Sequence, residues 1–302
     1  MSNLQRDLKD LSRGWRWGHR KLPPHSAEPH HSFAERKEFP TDWARSRPAR
    51  AAREVILRGG LTPLVHRETT MRIEGLDVFD DFEGPAIIVA NHTSHLDTAL
   101  LLTSLPTVWQ RKVTVGAAAD YFFDAWWRAI GSALIFATFP IERHGHGLSD
   151  TPTKLIEDGW SIVMFPEGTR SPDGWTRRFR PGAAALAITH GIPILPVGIR
   201  GSYAAMPKGR GWPKPGRPPV HVRYGRPLHP RDGEGTLELN GRVSAAIETL
   251  LDEDATDWYA AARRAGAKET PASTGPQAAN WRRVWASTAG PQNTESRPKA
   301  WR

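Results

Sequence analysis

The sequence predicts an α/β fold: a single domain with a largely parallel or mixed central sheet flanked by helices. Two observations carry that prediction. Short, mostly apolar runs of buried-strand type recur between residues 86 and 199. Segments with helical periodicity separate them, at lengths that suit crossover connections.

In chain order, Ala49–Leu61 reads as the first core helix, basic on one side with Val55, Ile56 and Leu57 on the other. Ala86–Ala90 is a buried strand, followed by a polar turn, Asn91–Asp97, and a helical Thr98–Thr103. Val113–Ala117 is a second strand, Asp120–Ser132 an aromatic helix and Leu134–Phe139 a third strand. Asp150–Gly159 reads as a capped helix and Ser161–Phe165 as a fourth strand. Pro181–His190 is a helix that Gly191 stops, and strands Ile192–Ile199 and Val220–Tyr224 follow. Thr236–Leu251 is amphipathic, with Leu239, Val243, Ile247, Leu250 and Leu251 on one face. The domain therefore runs over residues 49–262. A basic N-terminal arm rich in Trp, Arg and Pro (1–48) precedes it, with a short helix expected at Leu4–Leu11. A basic tail of low complexity (263–302) follows.

Composition narrows the function. The 302 residues contain no cysteine, which excludes disulfides, thiolate metal sites and cysteine nucleophiles. No stretch of about 20 apolar residues suggests a membrane span, and Met1–Gly14 is too polar for a signal peptide. The net charge of +9 invites a nucleic-acid reading, but its distribution opposes one. Residues 1–53 hold 12 Lys+Arg against 6 Asp+Glu, and residues 263–302 hold 8 against 2. The middle holds 21 against 24, so the arms carry the excess. Within the middle, Arg170–Arg231 holds twelve Lys or Arg and one acid, Asp173. Such a stretch suits either a phosphorylated ligand or a solvated face.

The most informative segment is Asn91-His-Thr-Ser-His-Leu-Asp97, where a buried strand gives way to a helix. Strand ends are where α/β sheets place their chemistry. Asp97 can fold back to hold the His92 ring N–H, which fixes the tautomer and stabilises the imidazolium. With no G-x-S-x-G elbow in the chain, such a pair suits activation of a substrate hydroxyl. Two other readings stand beside it: a structural histidine, and a metal site built from His92, His95 and Asp97. A second polar loop, Phe165-Pro-Glu-Gly-Thr-Arg170, follows the fourth strand. Gly168 permits positive φ, and Arg170 offers a planar fork for phosphate or carboxylate. A turn closed by an Arg–Glu salt bridge is the simpler reading of the same residues.

Together these segments resemble the glycerolipid acyltransferases, specifically the 1-acyl-glycerol-3-phosphate acyltransferase (PlsC) family. The family's N-H-x-S-x-x-D block matches at Asn91, His92, Ser94 and Asp97, and its F-P-E-G-T-R block at Phe165–Arg170. A G-x-x-F/P-I-x-R block matches at Pro140, Ile141 and Arg143, with Ala137 where the family often has Gly. A V-P-V-x-I-x-G strand appears as Leu195–Gly201, with Leu195 in place of Val. The resemblance covers roughly residues 60–250.

The resemblance implies transfer of a fatty acyl group from acyl-CoA or acyl-carrier protein to the sn-2 hydroxyl of 1-acyl-glycerol-3-phosphate, giving phosphatidic acid. His92 would act as base and Asp97 would orient it. Arg143, Glu167, Gly168, Thr169 and Arg170 would bind the acceptor's phosphate and glycerol. The implied mechanism needs no metal and no cofactor beyond the thioester co-substrate. It places the protein peripherally on the cytoplasmic face of the cell membrane, on an anionic lipid surface, with no specific nucleic-acid partner. The aromatic segment Tyr121–Arg128 and Trp15, Trp17, Trp281, Trp285 and Trp301 suit such a surface. Alternatives are another lysophospholipid or glycerol phosphate as acceptor, or a basic membrane or nucleic-acid adaptor.

Overall fold

A computed structural model describes residues 41–80, 83–118, 126–141 and 150–288. Seven strands form one sheet: β1 (Thr70–Glu74), β2 (Ile87–Ala90), β3 (Val113–Ala118), β4 (Thr138–Ile141), β5 (Ser161–Met164), β6 (Ile194–Arg200) and β7 (Pro219–Tyr224). Their order is β1-β7-β6-β2-β5-β3-β4. The five strands from β6 to β4 run parallel, whereas β7 pairs antiparallel with β6 and carries β1 parallel to itself. The sheet is thus largely parallel with a reversed edge pair.

The apolar runs are buried because helices cover both faces, and their side chains alternate between two cores. Ile88, Ala90, Val113, Val115, Val163, Leu195 and Val197 point to one side. There they meet Leu96 and Leu100–Leu102 of α3 (Leu96–Ser104). Ile87, Val89, Ile162 and Ile194 point to the other. Their partners are Ala183, Leu186 and Ala187 of α6 (Gly182–His190) and Leu239, Val243 and Ile247 of α7 (Thr236–Ala255). The latter three are the face read from the sequence. Gly191 ends α6 in the left-handed conformation, with φ 62°.

Three segments depart from the sequence reading. Leu134–Phe139 is not one strand: α4 (Trp126–Phe136) runs through Phe136, Ala137 turns at φ 51°, and β4 begins at Thr138. A short apolar run does not separate a helical face from a strand, and here the helix keeps its last turn. Arg53, buried in α1 (Arg47–Ile56), closes that turn. Its Nε donates to the Leu134 carbonyl at 2.7 Å and its Nη2 to the Ala133 carbonyl at 3.2 Å. The first helix is also longer than read, continuing through a wide turn at Leu57–Leu61 into α2 (Thr62–Glu68). Finally, β1 was not read as a strand: it lies at the sheet edge and carries only the short alternation Met71–Ile73, whose two side chains pack partly buried against the core.

The domain ends also differ from those read. Residues 41–48 belong with the core, since Ala44 is fully buried beneath the Arg53 guanidinium. Position 262 falls inside α8 (Trp258–Ala267), and a further helix, α9 (Asn280–Thr288), lies within the segment read as a tail. The Leu4–Leu11 helix lies outside the described residues, as does most of Tyr121–Arg128. No described helix is long and apolar enough to cross a membrane.

Candidate active site

Two of the four motif blocks leave the adjacent parallel strands β2 and β5 at their carboxyl ends, and a third is the neighbouring strand β6 itself. In register, Val89 sits opposite Met164 on β5 and Pro196 on β6. The turn after β2 therefore lies between the loop after β5 and the end of β6. Pro140 and Ile141 lie on β4, beyond β3.

The turn Asn91–Asp97 is held from both sides. The Asn91 amide copies a strand partner: its Nδ2 donates to the Ile199 carbonyl at 2.9 Å and its Oδ1 accepts from the Ile199 N–H at 2.8 Å. Ser94 Oγ accepts from the Leu96 N–H and donates to the Met206 carbonyl at 2.7 Å. Thr93 Oγ1 meets Ser202 Oγ at 2.9 Å. From the β5 side, the Ser171 N–H donates to the His92 carbonyl at 2.9 Å. These buried bonds leave the backbone at His92 little freedom.

Asp97 is fully buried in the first turn of α3, where the helix dipole favours its negative charge. Its Oδ2 accepts from the Thr93 and Ser94 N–H groups, each at 2.7 Å, and lies 2.9 Å from His92 Nδ1. An ionised carboxylate there places the proton on Nδ1 and leaves the lone pair on Nε2. The imidazole also stacks on Phe165, with ring centroids 4.1 Å apart and planes 22° from parallel. The carboxylate sets the tautomer, and the phenyl ring sets the plane. With 17% of its side chain exposed, His92 is screened yet reachable.

Glu167 does not project as a substrate ligand. Its Oε1 accepts from the His92 N–H at 2.7 Å and its Oε2 from the Arg177 N–H at 3.0 Å, which ties the β2 and β5 loops together. Burial pushes its carboxyl up to about 8, against the pull of those two N–H donors. The salt bridge to Arg170 that the bare sequence allows is not how this carboxylate is used. Gly168 turns at φ 72°, and a Cβ there would stand 3.1 Å from the Arg180 guanidinium carbon. Thr169 and Arg170 are half-buried in the same loop. Burial, with the charges of Arg170 and His92, lowers His95 to about 4, so it is neutral at pH 7. Among the described residues, no group of three or more His, Asp or Glu side chains is arranged to hold a metal. Arg143 lies outside the described residues.

Residues 66–200 match the family model described as Acyltransferase. The matched segment contains the His92–Asp97 pair, the Glu167 tie and the strands that carry them.

Over these residues the chain is similar to the acyltransferase family.

Proteins similar to this chain include the chloroplastic 1-acyl-sn-glycerol-3-phosphate acyltransferase of Brassica napus, 30% identical over 45% of this chain and 39% of the relative. The enzyme of the same name from Pseudomonas aeruginosa is 30% identical over 57% of this chain and 65% of the relative. That from Limnanthes alba is 29% identical over 49% and 51%. The chain thus spans about half the length of the curated relatives it matches. The fold is similar to the crystal structure of the 1-acyl-sn-glycerophosphate acyltransferase PlsC from Thermotoga maritima, with TM-score 0.55, 23% identity, and coverage of 70% of this chain and 86% of that one.

Sequence reasoning did not assign roles to Phe165, Asn91 and Ser94, although all three lie in quoted blocks. Their partners stand 73 to 112 residues away in the chain, or across a strand pair, so no local pattern announces them.

Proposed function

We propose that this protein transfers a fatty acyl group from a thioester, acyl-CoA or acyl-carrier protein, to the sn-2 hydroxyl of 1-acyl-glycerol-3-phosphate, yielding phosphatidic acid. The observation that carries the proposal is the buried Asp97 carboxylate 2.9 Å from His92 Nδ1, which leaves Nε2 as the available base. His92 Nε2 takes the proton of the acceptor hydroxyl as its oxygen attacks the thioester carbonyl. The C–O ester bond forms, the C–S bond breaks, and the thiolate leaves. The protonated imidazole, steadied by Asp97, returns its proton to the thiolate or to solvent. Attack is direct, with no acyl-enzyme. Arg170 and Arg143 are assigned to the acceptor phosphate, and Glu167 acts through the His92 backbone rather than on substrate. The relatives carrying the 1-acyl-sn-glycerol-3-phosphate acyltransferase name support this choice of acceptor.

The lipid acceptor requires contact with a bilayer, and we assign that contact to a peripheral, anionic surface. Trp281 and Trp285 are 70% and 63% exposed on α9, and the Arg282 guanidinium lies over the Trp281 ring at 5.9 Å. Exposed indoles beside cations suit the headgroup region.

The test is thiol release from long-chain acyl-CoA or acyl-carrier protein with lysophosphatidic acid, with product identity by mass spectrometry. Acceptor-dependent release that is lost in His92→Ala and indifferent to EDTA is the expected result. No turnover across both carriers and a panel of lysolipids would overturn the reading.

A further inference from the structure

The loop after β5 holds His92 at both of its backbone groups. Glu167 Oε1 accepts from the His92 N–H at 2.7 Å, and the Ser171 N–H donates to the His92 carbonyl at 2.9 Å. Where the base stands therefore depends on what holds residues 167–177. Part of that hold comes from residues 273–287, beyond the segment that matches the acyltransferase model, which ends at residue 200.

These later residues cross the loop as a strap. Arg283 Nε donates to Asp173 Oδ2 at 2.5 Å, while its Nη1 and Nη2 donate to the Pro276 and Thr274 carbonyls at 2.7 and 2.9 Å. Trp175 Nε1 donates to the Arg283 carbonyl at 2.8 Å, and Ser287 Oγ to the Asp173 carbonyl at 2.7 Å. The Thr176 N–H donates to the Ser273 carbonyl at 3.1 Å, and the two hydroxyls of that pair also meet. Ser273 Oγ in turn donates to Glu248 of α7 at 3.1 Å, which anchors the strap to the body of the fold. None of the residues of α9 is buried, so polar contacts rather than an apolar core fasten it.

The strap reaches His92 through one buried carboxylate. Asp173 Oδ2 takes the Arg283 Nε–H, and its Oδ1 accepts from Ser171 Oγ at 3.1 Å and from the Trp175 N–H at 3.2 Å. Burial acts to raise the Asp173 carboxyl, but the Arg283 guanidinium, the Trp175 N–H and the Ser171 hydroxyl together hold it below its ordinary value. The link to Arg283 is therefore ionic at neutral pH. Ser171, fully buried, carries the contact on to the His92 carbonyl.

We propose that Arg283 is a positioning residue for the reaction, acting through Asp173 and Ser171 on the backbone of His92. The inference rests on the proposed function for what His92 does, and not for how His92 is held.

The test compares Arg283→Gln, Asp173→Asn and the double variant in the full chain. Neither side chain belongs to an apolar core, and circular dichroism with Tm confirms that each variant is folded at the assay temperature. Amide hydrogen exchange, read by mass spectrometry, rises several-fold in the 91–97 turn and is unchanged in α6. In thiol release, kcat falls roughly tenfold while KM stays within about twofold, since a displaced base costs turnover rather than binding. The double variant loses no more than the worse single one, because both changes break the same link. Arg263→Gln, the same change at an exposed position of α8, leaves exchange and kcat as in the wild type. A lowered Tm with kcat and the 91–97 turn unchanged would make the strap purely structural and overturn the proposal. So would losses that multiply in the double variant. A wild type without turnover sinks the acyl-transfer reading alone, and exchange in the 91–97 turn still decides whether Arg283 holds His92.

Discussion

At the scale of single residues, the site is a histidine controlled by three neighbours of different chemistry. Asp97 sets the tautomer, Phe165 the ring plane and Glu167 the backbone position. Asp97→Asn keeps the shape but removes the charge that stabilises the imidazolium, so kcat falls by roughly 10²–10⁴ while KM changes little. Steady-state kinetics of the folded variant decides this. Glu167 gives a prediction with a definite sign. Its carboxyl titrates near 4.5 when unfolded and about 8 when folded. Its contribution is therefore full below about pH 4.5 and is lost as pH rises through about 8. Glu167→Gln cannot titrate, so the Tm advantage of the wild type over this variant shrinks from pH 5 to pH 9. An advantage that grows with pH would mean that the two N–H donors hold Glu167 charged.

At the scale of elements, the legible parts were those with a strong period or a stop signal. β2, β5 and α7 were readable because buried parallel strands are continuously apolar and α7 repeats on one face. The end of α4 was not, because Leu134–Phe136 suits either structure until Arg53, 81 residues upstream of Leu134, caps the last turn. The same corner holds Ala137, fully buried at φ 51°, where the resembling family often places Gly. Ala137→Val adds a β-branched side chain in the left-handed region with no room for it. It lowers unfolding free energy by about 2 kcal/mol or more, measured by urea denaturation. A change under about 0.5 kcal/mol would show that the corner relaxes.

At the scale of the whole molecule, charge and exposed aromatics gather outside the acyltransferase segment. Arg282, Trp281 and Trp285 ride on α9, which is fastened to the loop after β5. Trp281→Ala/Trp285→Ala is expected to weaken sedimentation with phosphatidylglycerol-containing vesicles several-fold, with no change in thiol release from water-soluble short-chain substrates. Loss of both together would place the helix in folding rather than in docking.

The sequence by itself determined the α/β class and the central strands, because each rests on short-range pattern, apolar runs and helical period; it offered the His92–Asp97 pair as one of three readings of their turn, and the 2.9 Å contact is a fact of the fold. The sequence did not determine what Glu167 does. Read in its loop, that residue looked like a ligand for substrate; in the fold both of its oxygens face backbone N–H groups on two loops. Nor did it show that the strand order β6-β2-β5 would set the Asn91–Asp97 and Phe165–Arg170 blocks side by side at one end of the sheet, next to β6. Nor did it show that a helix read as tail would set Arg283 on Asp173, in the loop beside them. The Glu167–His92 and Asp173–Arg283 contacts join residues 75 and 110 positions apart, and only closure of the chain around a buried sheet sets them.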